Sequence, residues 1–279
     1  MTKKIFTTVI TLFITVAAMA ETAVKNGDAI SFLGDSITYY GNRFEGGYVN
    51  LVIAGLKANG IDAVKLPAGI SGHKSNQMLA RLEQDVLAKK PQIMTLSCGV
   101  NDVWHGKRGV KLPEYKKNIT ELIDKAQAAG VKVCILTATM ITENPDAGYN
   151  LTLASYNDFL RQLAREKGCM LADLNAVMQK EIAAFKAKYP DFKGNLFTND
   201  GVHMNPNGNE LMAEGVLRAF GLDDAQIAKA KSVWHDKYSD VGRVLFSGRM
   251  IRKIAPLAAE KGVSIQEYLA QMVENLPEK

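Results

Sequence analysis

The sequence predicts an α/β fold in which a doubly wound, parallel, five-stranded sheet lies between two layers of helices, with a helical extension at the C-terminus. Two observations lead to this prediction. Short apolar runs typical of buried strands alternate with longer segments of helical periodicity, and right-handed crossovers then place helices on both faces of the sheet. A chain of 279 residues, 47% of them hydrophobic, is long enough to bury the core of one large domain of this three-layer α/β/α type.

The strand and helix signals follow one another from residue 29 to residue 188. We predict strands at 29–33, 63–66, 93–97, 131–138 and 170–172. Apolar residues at helical spacing predict helices at 48–58, 79–86, 115–129, 155–167 and 177–188. Gly130 and Gly168 directly follow two of these helices, which is the usual position of a C-terminal cap.

The last part of the chain has a different character, because the strand signals stop after residue 221. Segments 222–234 and 257–259 have helical patterns, and Ser264 with Glu267 forms a capping box ahead of a final helix that ends near residue 276. We therefore predict a domain at 21–221 and a helical extension at 222–279. The extension either packs on the domain or serves as an arm that binds a partner.

The first 20 residues have the pattern of a signal peptide. Lys3 and Lys4 precede an apolar stretch at 5–18, and Ala18-Met19-Ala20 is a suitable cleavage site. The apolar stretch is short for a membrane span, although a membrane anchor is the alternative. We expect cleavage after Ala20 and a secreted or periplasmic protein that keeps no membrane span.

Charge and cysteine content argue against several classes of function. The formal net charge is +5, and loss of Lys3 and Lys4 with the signal peptide lowers it to +3, which is too little to indicate a nucleic-acid partner. Three cysteines cannot form a complete disulfide framework, and we interpret them as small buried side chains. The four histidines, at positions 73, 105, 203 and 235, do not have the spacing of a metal site.

A serine follows the first predicted strand almost directly, in the run Gly34-Asp35-Ser36. In open parallel sheets, ligands bind at the carboxyl ends of the strands. A serine hydroxyl in that position becomes a nucleophile when a base removes its proton and donors stabilise the oxyanion.

Asp200 and His203 supply a candidate base. They stand three residues apart in a turn-rich segment that leads into a helix, so the carboxylate can reach the ring, fix its tautomer and stabilise the imidazolium. The alternative is a loop histidine beside a capping aspartate.

Two further loops offer oxyanion donors. Asn101, in Gly99-Val100-Asn101-Asp102, follows the third predicted strand, and Gly72 follows the second. An asparagine amide is a neutral donor, and a glycine permits close approach to its N–H. Each is also explained as an ordinary turn residue.

Together the four motifs resemble those of the SGNH (GDSL) hydrolase family. The matching residues are Gly34-Asp35-Ser36-Ile37, Gly72, Gly99-Val100-Asn101-Asp102 and Asp200-Gly201-Val202-His203. They occur in the family's order within residues 28–220. The resemblance implies a flavodoxin-like sheet, no cofactor or metal, and cleavage of esters or thioesters, often acetyl groups on carbohydrates or acyl groups on lipids.

The resemblance also implies a role for each residue. Ser36 would be the nucleophile, His203 the general base and then acid, and Asp200 the residue that orients His203. The oxyanion hole would comprise the Ser36 N–H, the Gly72 N–H and the Asn101 side chain, and catalysis would pass through an acyl-serine.

Two other hydrolase motifs are incomplete in this sequence, and a non-enzymatic function is the remaining alternative. Ser71-Gly72-His73-Lys74 matches the S-x-x-K motif of penicillin-binding proteins, but the accompanying S-D-N and K-T-G motifs are missing from the sequence. The α/β-hydrolase elbow G-x-S-x-G is also missing, since Thr38 occupies its last position. A carbohydrate-binding module on the same fold would need none of the catalytic groups, whereas Ser36, Asp200 and His203 are all intact.

Aromatic residues beside the motifs are candidates for substrate binding. Trp104 and His105 follow the Asn101 loop, and Tyr39, with Tyr40 and Arg43 nearby, follows the nucleophile. Trp104 could stack on a sugar face or simply pack in its loop. We expect a small-molecule or glycan ester with a short acyl group, namely acetyl; a lipid ester or lysophospholipid is the alternative. Oligomeric state is not indicated.

Overall fold

The computed structural model describes residues 22–192, 194–234 and 248–277. The predicted signal peptide, with its cleavage site, and His235 lie outside these residues. The chain divides into two compact units, Met1–Ser239 and Asp240–Lys279.

The first unit is built on one parallel sheet of five strands in the order β2-β1-β3-β4-β5. The strands are β1 (Ala29–Gly34), β2 (Val64–Gly69), β3 (Ile93–Ser97), β4 (Lys132–Leu136) and β5 (Met170–Ala172). This order is the flavodoxin-like arrangement of a doubly wound sheet, so the predicted fold class is confirmed. β3 is buried at every position, as expected of a central strand with both faces covered.

Helices follow the strands, and right-handed crossovers put them on both faces of the sheet. Those of the first unit are α1 (Ser36–Arg43), α2 (Tyr48–Ala58), α3 (Ser75–Ala80), α4 (Leu82–Asp85), α5 (Val100–Trp104), α6 (Leu112–Ala128), α7 (Gly148–Glu166), α8 (Leu174–Lys188), α9 (Pro206–Ala219) and α10 (Asp224–Ser232). The chain after α10 packs back on α2, because the buried Trp234 indole donates a hydrogen bond of 3.0 Å to the Leu51 carbonyl.

The second unit contains α11 (Gly248–Glu260) and α12 (Ile265–Glu274). The predicted capping box at the start of α12 is present: the Ser264 hydroxyl accepts from the Glu267 N–H, and the Glu267 carboxylate accepts from the Ser264 N–H. None of the helices described in either unit is both long and apolar enough to cross a membrane.

Candidate active site

Ser36 begins a helix at the carboxyl end of β1. Asp35 is the N-cap of α1, and its Oδ1 accepts a hydrogen bond of 2.9 Å from the Ile37 N–H. Ser36 is the first residue of the helix, and an N–H group in that position has no acceptor within the helix. The sharp turn from strand to helix therefore presents the Ser36 hydroxyl and N–H together, at a helix end that favours negative charge.

His203 and Asp200 form a hydrogen-bonded chain that ends on Ser36. The His203 Nε2 atom lies 2.9 Å from Ser36 Oγ, and His203 Nδ1 lies 2.7 Å from Asp200 Oδ2. The two partners come from opposite ends of the domain in sequence, since 167 positions separate Ser36 from His203. This geometry suits transfer of the serine proton to His203 Nε2, while Asp200 bonds to the other ring nitrogen.

The turn from Asp200 to His203 fixes the carboxylate through its backbone. Asp200 Oδ1 accepts from the Val202 N–H at 2.9 Å and from the His203 N–H at 2.8 Å. Partial burial acts to raise the pKa of Asp200, but hydrogen bonds from the His203 ring and from these two N–H groups hold its pKa below the usual range. Asp200 is therefore ionised when it faces the His203 ring.

Asn101 lies between the nucleophile loop and the Gly72 loop. Its side chain is 3% exposed, and Nδ2 donates to Asp35 Oδ2 and to the His73 carbonyl, each at 3.2 Å. Asn101 thus contacts the chain neighbours of Ser36 and Gly72, which are the other two residues of the predicted oxyanion hole. Both amide protons have protein acceptors, so an incoming oxyanion would have to share or replace one of these contacts.

Gly72 occupies the turn after β2 in a conformation that disfavours other residues. Its φ is +78°, and a Cβ added there would meet no atom within 4 Å. The backbone of Gly72 is consequently open on that side, which permits a ligand oxygen to approach.

A buried carboxylate ties the Gly72 and Asn101 loops together. Asp102, 3% exposed, accepts from the Ser75 hydroxyl at 2.6 Å and from the Ser75 N–H at 3.0 Å. Ser75 begins α3 and Asp102 follows Asn101 in α5. The contact therefore fixes the separation of the two loops that carry the candidate oxyanion donors.

Asp35 is a second buried carboxylate next to Ser36. Complete burial raises its pKa to about 6, while the Ile37 N–H and the charge of His203 act in the opposite direction. The sequence motif pointed to Ser36 but gave no indication that its neighbour would hold the Asn101 amide.

The aromatic candidates for substrate binding differ in the rings that they contact. Tyr39 is 42% exposed and contacts Tyr40, whose ring lies edge-to-face with His203 at 5.4 Å between centroids. Trp104 is 40% exposed and packs beside His105, with ring centroids 6.4 Å apart. The ring contact with His203 is thus made by Tyr40, which the sequence marked only as a neighbour of Tyr39.

The rival serine, Ser71, is not part of the hydrogen-bonded chain from Ser36 through His203 to Asp200. Ser71 is an exposed turn residue directly before Gly72.

Cys98, Cys134 and Cys169 are unpaired, the first two buried and the third partly exposed. Among the described residues, no three or more His, Cys, Asp or Glu side chains are grouped so that they could share a metal ion.

Comparison with known proteins identifies the family of this arrangement. A family described as GDSL-like Lipase/Acylhydrolase matches residues 32–211. An acetylxylan esterase from Geobacillus stearothermophilus is 28% identical over 221 residues, which cover 72% of this chain and 97% of that protein. Esterase TesA from Pseudomonas aeruginosa is 32% identical over 125 residues, covering 45% of this chain and 58% of that protein.

Solved structures agree in fold. The crystal structure of the acetyl xylan esterase AlAXEase superposes with a TM-score of 0.63 at 32% identity and covers 68% of this chain and 98% of that one. The structure of Axe2, an acetylxylan esterase from Geobacillus stearothermophilus, superposes with a TM-score of 0.64 at 24% identity over 72% of this chain and 97% of that one.

Proposed function

Since this chain belongs to the GDSL-like lipase/acylhydrolase family and is a carboxylic ester hydrolase, we propose that it is an exported serine esterase that removes acetyl groups from a carbohydrate. The observation that carries the proposal is the continuous hydrogen-bond chain from Ser36 Oγ through the His203 ring to Asp200, with contacts of 2.9 and 2.7 Å.

In the acylation half of the reaction, Ser36 Oγ attacks the ester carbonyl carbon while His203 Nε2 takes its proton. Asp200 accepts the Nδ1–H bond throughout and stabilises the imidazolium. The tetrahedral oxyanion receives hydrogen bonds from the Ser36 N–H, the Gly72 N–H and the Asn101 amide. His203 then protonates the leaving alcohol as the C–O bond breaks, which leaves an acyl-Ser36.

In the deacylation half, His203 takes a proton from a water molecule that attacks the acyl-serine carbonyl. A second tetrahedral intermediate forms in the same oxyanion site. It collapses when His203 returns the proton to Ser36 Oγ, and the carboxylic acid is released.

An acetylated carbohydrate as substrate is supported by the relatives. This chain spans 97% of an acetylxylan esterase and 98% of a second one in structure, so the likeness extends over their whole domains. The exposed Trp104 and Tyr39 rings could provide surfaces on which a sugar stacks.

Export is supported by the sequence of the first 20 residues, with cleavage after Ala20. A lipoprotein relative from Bacillus subtilis, YqeF, 26% identical over 175 residues, is consistent with this location. Mass spectrometry of protein secreted from cells that express the whole chain would test the cleavage point. A mature N-terminus at Glu21 is expected, and an uncleaved chain in the cell would contradict export.

The nucleophile is tested with a pair of serine variants. Ser36→Ala should abolish hydrolysis of p-nitrophenyl acetate and of acetylated xylo-oligosaccharides, because no other hydroxyl contacts His203 Nε2 among the described residues. Ser71→Ala, on the neighbouring exposed turn, should keep most of the activity. An inactive Ser71→Ala protein with an active Ser36→Ala protein would overturn the assignment.

The acyl group is tested with p-nitrophenyl esters of increasing length. A site built for acetyl should lose kcat/KM steeply beyond butyrate, while the same enzyme deacetylates xylo-oligosaccharides. Equal or rising rates at octanoate, with no release of acetate from the glycan, would replace the carbohydrate proposal by a lipid ester.

A further inference from the structure

Glu143 is a buried carboxylate whose contacts lie in the segment that leads into Asp200. It follows β4 in the loop before α7, and only 6% of its surface is exposed. The segment it contacts is 53 to 55 positions later in the chain. No motif in the sequence marks it.

Four hydrogen bonds converge on this one carboxylate. Glu143 Oε2 accepts from the Leu196 N–H at 2.6 Å, and Oε1 accepts from the Phe197 N–H at 2.7 Å. Oε1 also accepts from the Thr198 N–H and the Thr198 hydroxyl, each at 2.8 Å. Three consecutive N–H groups directed at one anion form a backbone concavity of the kind that binds anions.

Hydrogen bonds continue from Thr198 into the turn that carries Asp200 and His203. The Gly201 N–H donates to Thr198 Oγ1 at 3.1 Å, and the Gly201 carbonyl accepts from the Thr142 N–H at 2.7 Å. Gly201 has a φ of +94°, and a Cβ there would lie 3.0 Å from Thr142 Cα. The Gly201 carbonyl is therefore held by the Thr142 N–H. The Gly201 N–H is held by the Thr198 hydroxyl, which in turn donates to Glu143.

Hydrogen bonds also join the two ends of the segment from Thr198 to Met204. Thr198 pairs with Met204 in an antiparallel bridge, and the Asn199 N–H donates to the His203 carbonyl at 2.8 Å. A displacement at Thr198 would consequently move Asp200 and His203 together relative to Ser36, which is fixed on a different element.

We propose that Glu143 is a positioning residue for the Asp200–His203 pair: through the N–H groups of 196–198 and the Thr198 hydroxyl, it sets the distance of His203 Nε2 from Ser36 Oγ. This inference rests on the proposed function, in which Ser36 and His203 are the reacting groups. Small displacements matter here, because misplacement by about 1 Å can lower the rate of an enzyme about 100-fold.

Glu143→Gln keeps the shape of the side chain and removes its charge. An amide has one acceptor oxygen, so its NH₂ group must face at least one of the N–H donors of the 196–198 segment, and a buried donor loses its partner. We expect kcat/KM for p-nitrophenyl acetate to fall at least tenfold, mostly through kcat.

Glu214→Gln is the matched control. Glu214, on α9, makes salt bridges of 2.8 Å to Arg218 and 2.6 Å to Lys231, and it contacts neither the 196–198 segment nor Gly201 in the hydrogen bonds described. The same substitution there should change thermal stability but leave kcat and KM as in the wild type.

Thr198→Val provides a second variant that removes only one hydroxyl. It should lower kcat/KM in the same direction as Glu143→Gln, and Thr198→Ser, which restores the hydroxyl, should recover most of the loss. If Glu143→Gln protein fails to fold, the Thr198→Val and Thr198→Ser variants test the positioning role instead. All rates are taken per folded molecule, well below each variant's melting temperature.

The proposal is overturned if folded Glu143→Gln protein, or Thr198→Val protein in its place, has the kcat and kcat/KM of the wild type. Failure of the proposed function gives a different result, namely hydrolysis by Ser36→Ala protein. An inactive Ser36→Ala variant together with fully active Glu143→Gln and Thr198→Val variants would reject only the positioning role.

Discussion

Two carboxylates flank the Ser36–His203 contact, and their environments move their pKa values in opposite directions. Asp200 is partly exposed and accepts three hydrogen bonds, which hold its pKa below the usual range against the effect of burial. Asp35 is completely buried, and burial raises its pKa to about 6. Asp200 thus keeps its charge for His203, whereas Asp35 is costly to ionise.

The raised pKa of Asp35 predicts how stability depends on pH. A carboxyl group that binds its proton more tightly in the folded than in the unfolded chain opposes folding once it ionises. The cost begins above the unfolded value near pH 4, grows to about pH 6 and then stays constant. Its size is about 3 kcal/mol at neutral pH.

Asp35→Asn removes that cost, so the melting temperature of the variant relative to the wild type should increase between pH 4 and pH 7. Thermal unfolding of both proteins at the two pH values measures the difference. Loss of hydrogen bonds by the variant would shift its melting temperature equally at both pH values. A difference that does not change with pH would therefore contradict the raised pKa of Asp35.

Asn101 should affect kcat rather than KM, because an oxyanion donor is fully engaged only near the transition state. Asn101→Ala should lower kcat about 10²–10³-fold with KM nearly unchanged, and Asn101→Asp should be at least as poor, since a carboxylate repels an oxyanion. A melting temperature measured on the same preparation separates this role from a structural one. Folded Asn101→Ala protein with a wild-type kcat would remove Asn101 from the site.

Among individual residues, those that belong to motifs can be predicted from the sequence. Residues that act through contacts with distant parts of the chain cannot. Ser36, Asn101, Asp200 and His203 follow strands or begin turns, and the structure brings all four to one place. Glu143 has no motif and lies more than 50 positions from its partners. Nothing in a single sequence distinguishes it from a solvated glutamate.

At the level of secondary structure, hydrogen bonds from Ser75 to Asp102 join α3 to α5 beside the site. Asp102 accepts the Ser75 hydroxyl at 2.6 Å, and Asn118 of α6 donates to the same hydroxyl at 3.2 Å. Burial raises the pKa of Asp102, while the bonds from Ser75 act to lower it. The Ser75 hydroxyl therefore serves as both donor and acceptor for three elements.

Ser75→Ala should destabilise the domain by about 1–3 kcal/mol, because it leaves the buried Asp102 and Asn118 groups with fewer partners. Ser155→Ala is the control: the Ser155 hydroxyl is exposed and bonds only to the Thr152 carbonyl in its own helix, so its loss should stay within about 0.5 kcal/mol. Urea unfolding compares the three proteins. Equal midpoints for both variants would show that the Ser75 contact adds nothing to stability.

Element boundaries differ from prediction where tertiary contacts override local pattern. The single predicted helix at 79–86 is broken at Arg81, whose guanidinium donates to the Gly34 carbonyl at 3.0 Å and pairs with Asp85 at 2.9 Å. β2 continues beyond the predicted 63–66 through Pro67, which pairs with Phe32. A proline is tolerated there because β2 is an edge strand.

At the scale of the whole molecule, the parallel order of the sheet explains why one end of it gathers the site. β1, β2 and β3 are neighbours, and the Ser36, Gly72 and Asn101 loops follow their carboxyl ends. Alternation of strand and helix signals was sufficient to predict this class of fold. The partners of the long segment between α8 and α9, which carries Asp200 and His203, could not be predicted from periodicity because the segment has none.

The region after α10 contributes to the stability of the first unit through Trp234. Its side chain is fully buried and bonds to the Leu51 carbonyl. Removal of residues 222–279 should therefore lower the melting temperature more than removal of residues 240–279, since only the longer deletion takes away Trp234. Loss of a buried tryptophan side chain typically costs about 3–5 kcal/mol. Equal melting temperatures for the two shortened proteins would contradict this role.

The proposed reaction passes through an acyl-serine intermediate on Ser36, which rapid quenching followed by peptide mapping can detect. Wild-type protein mixed with p-nitrophenyl acetate and quenched in acid during turnover should carry acetyl on the peptide that contains Ser36. Ser36→Ala protein should carry none there and release no p-nitrophenol beyond the uncatalysed rate. Acetyl on Ser71, or full turnover by Ser36→Ala protein, would contradict the account.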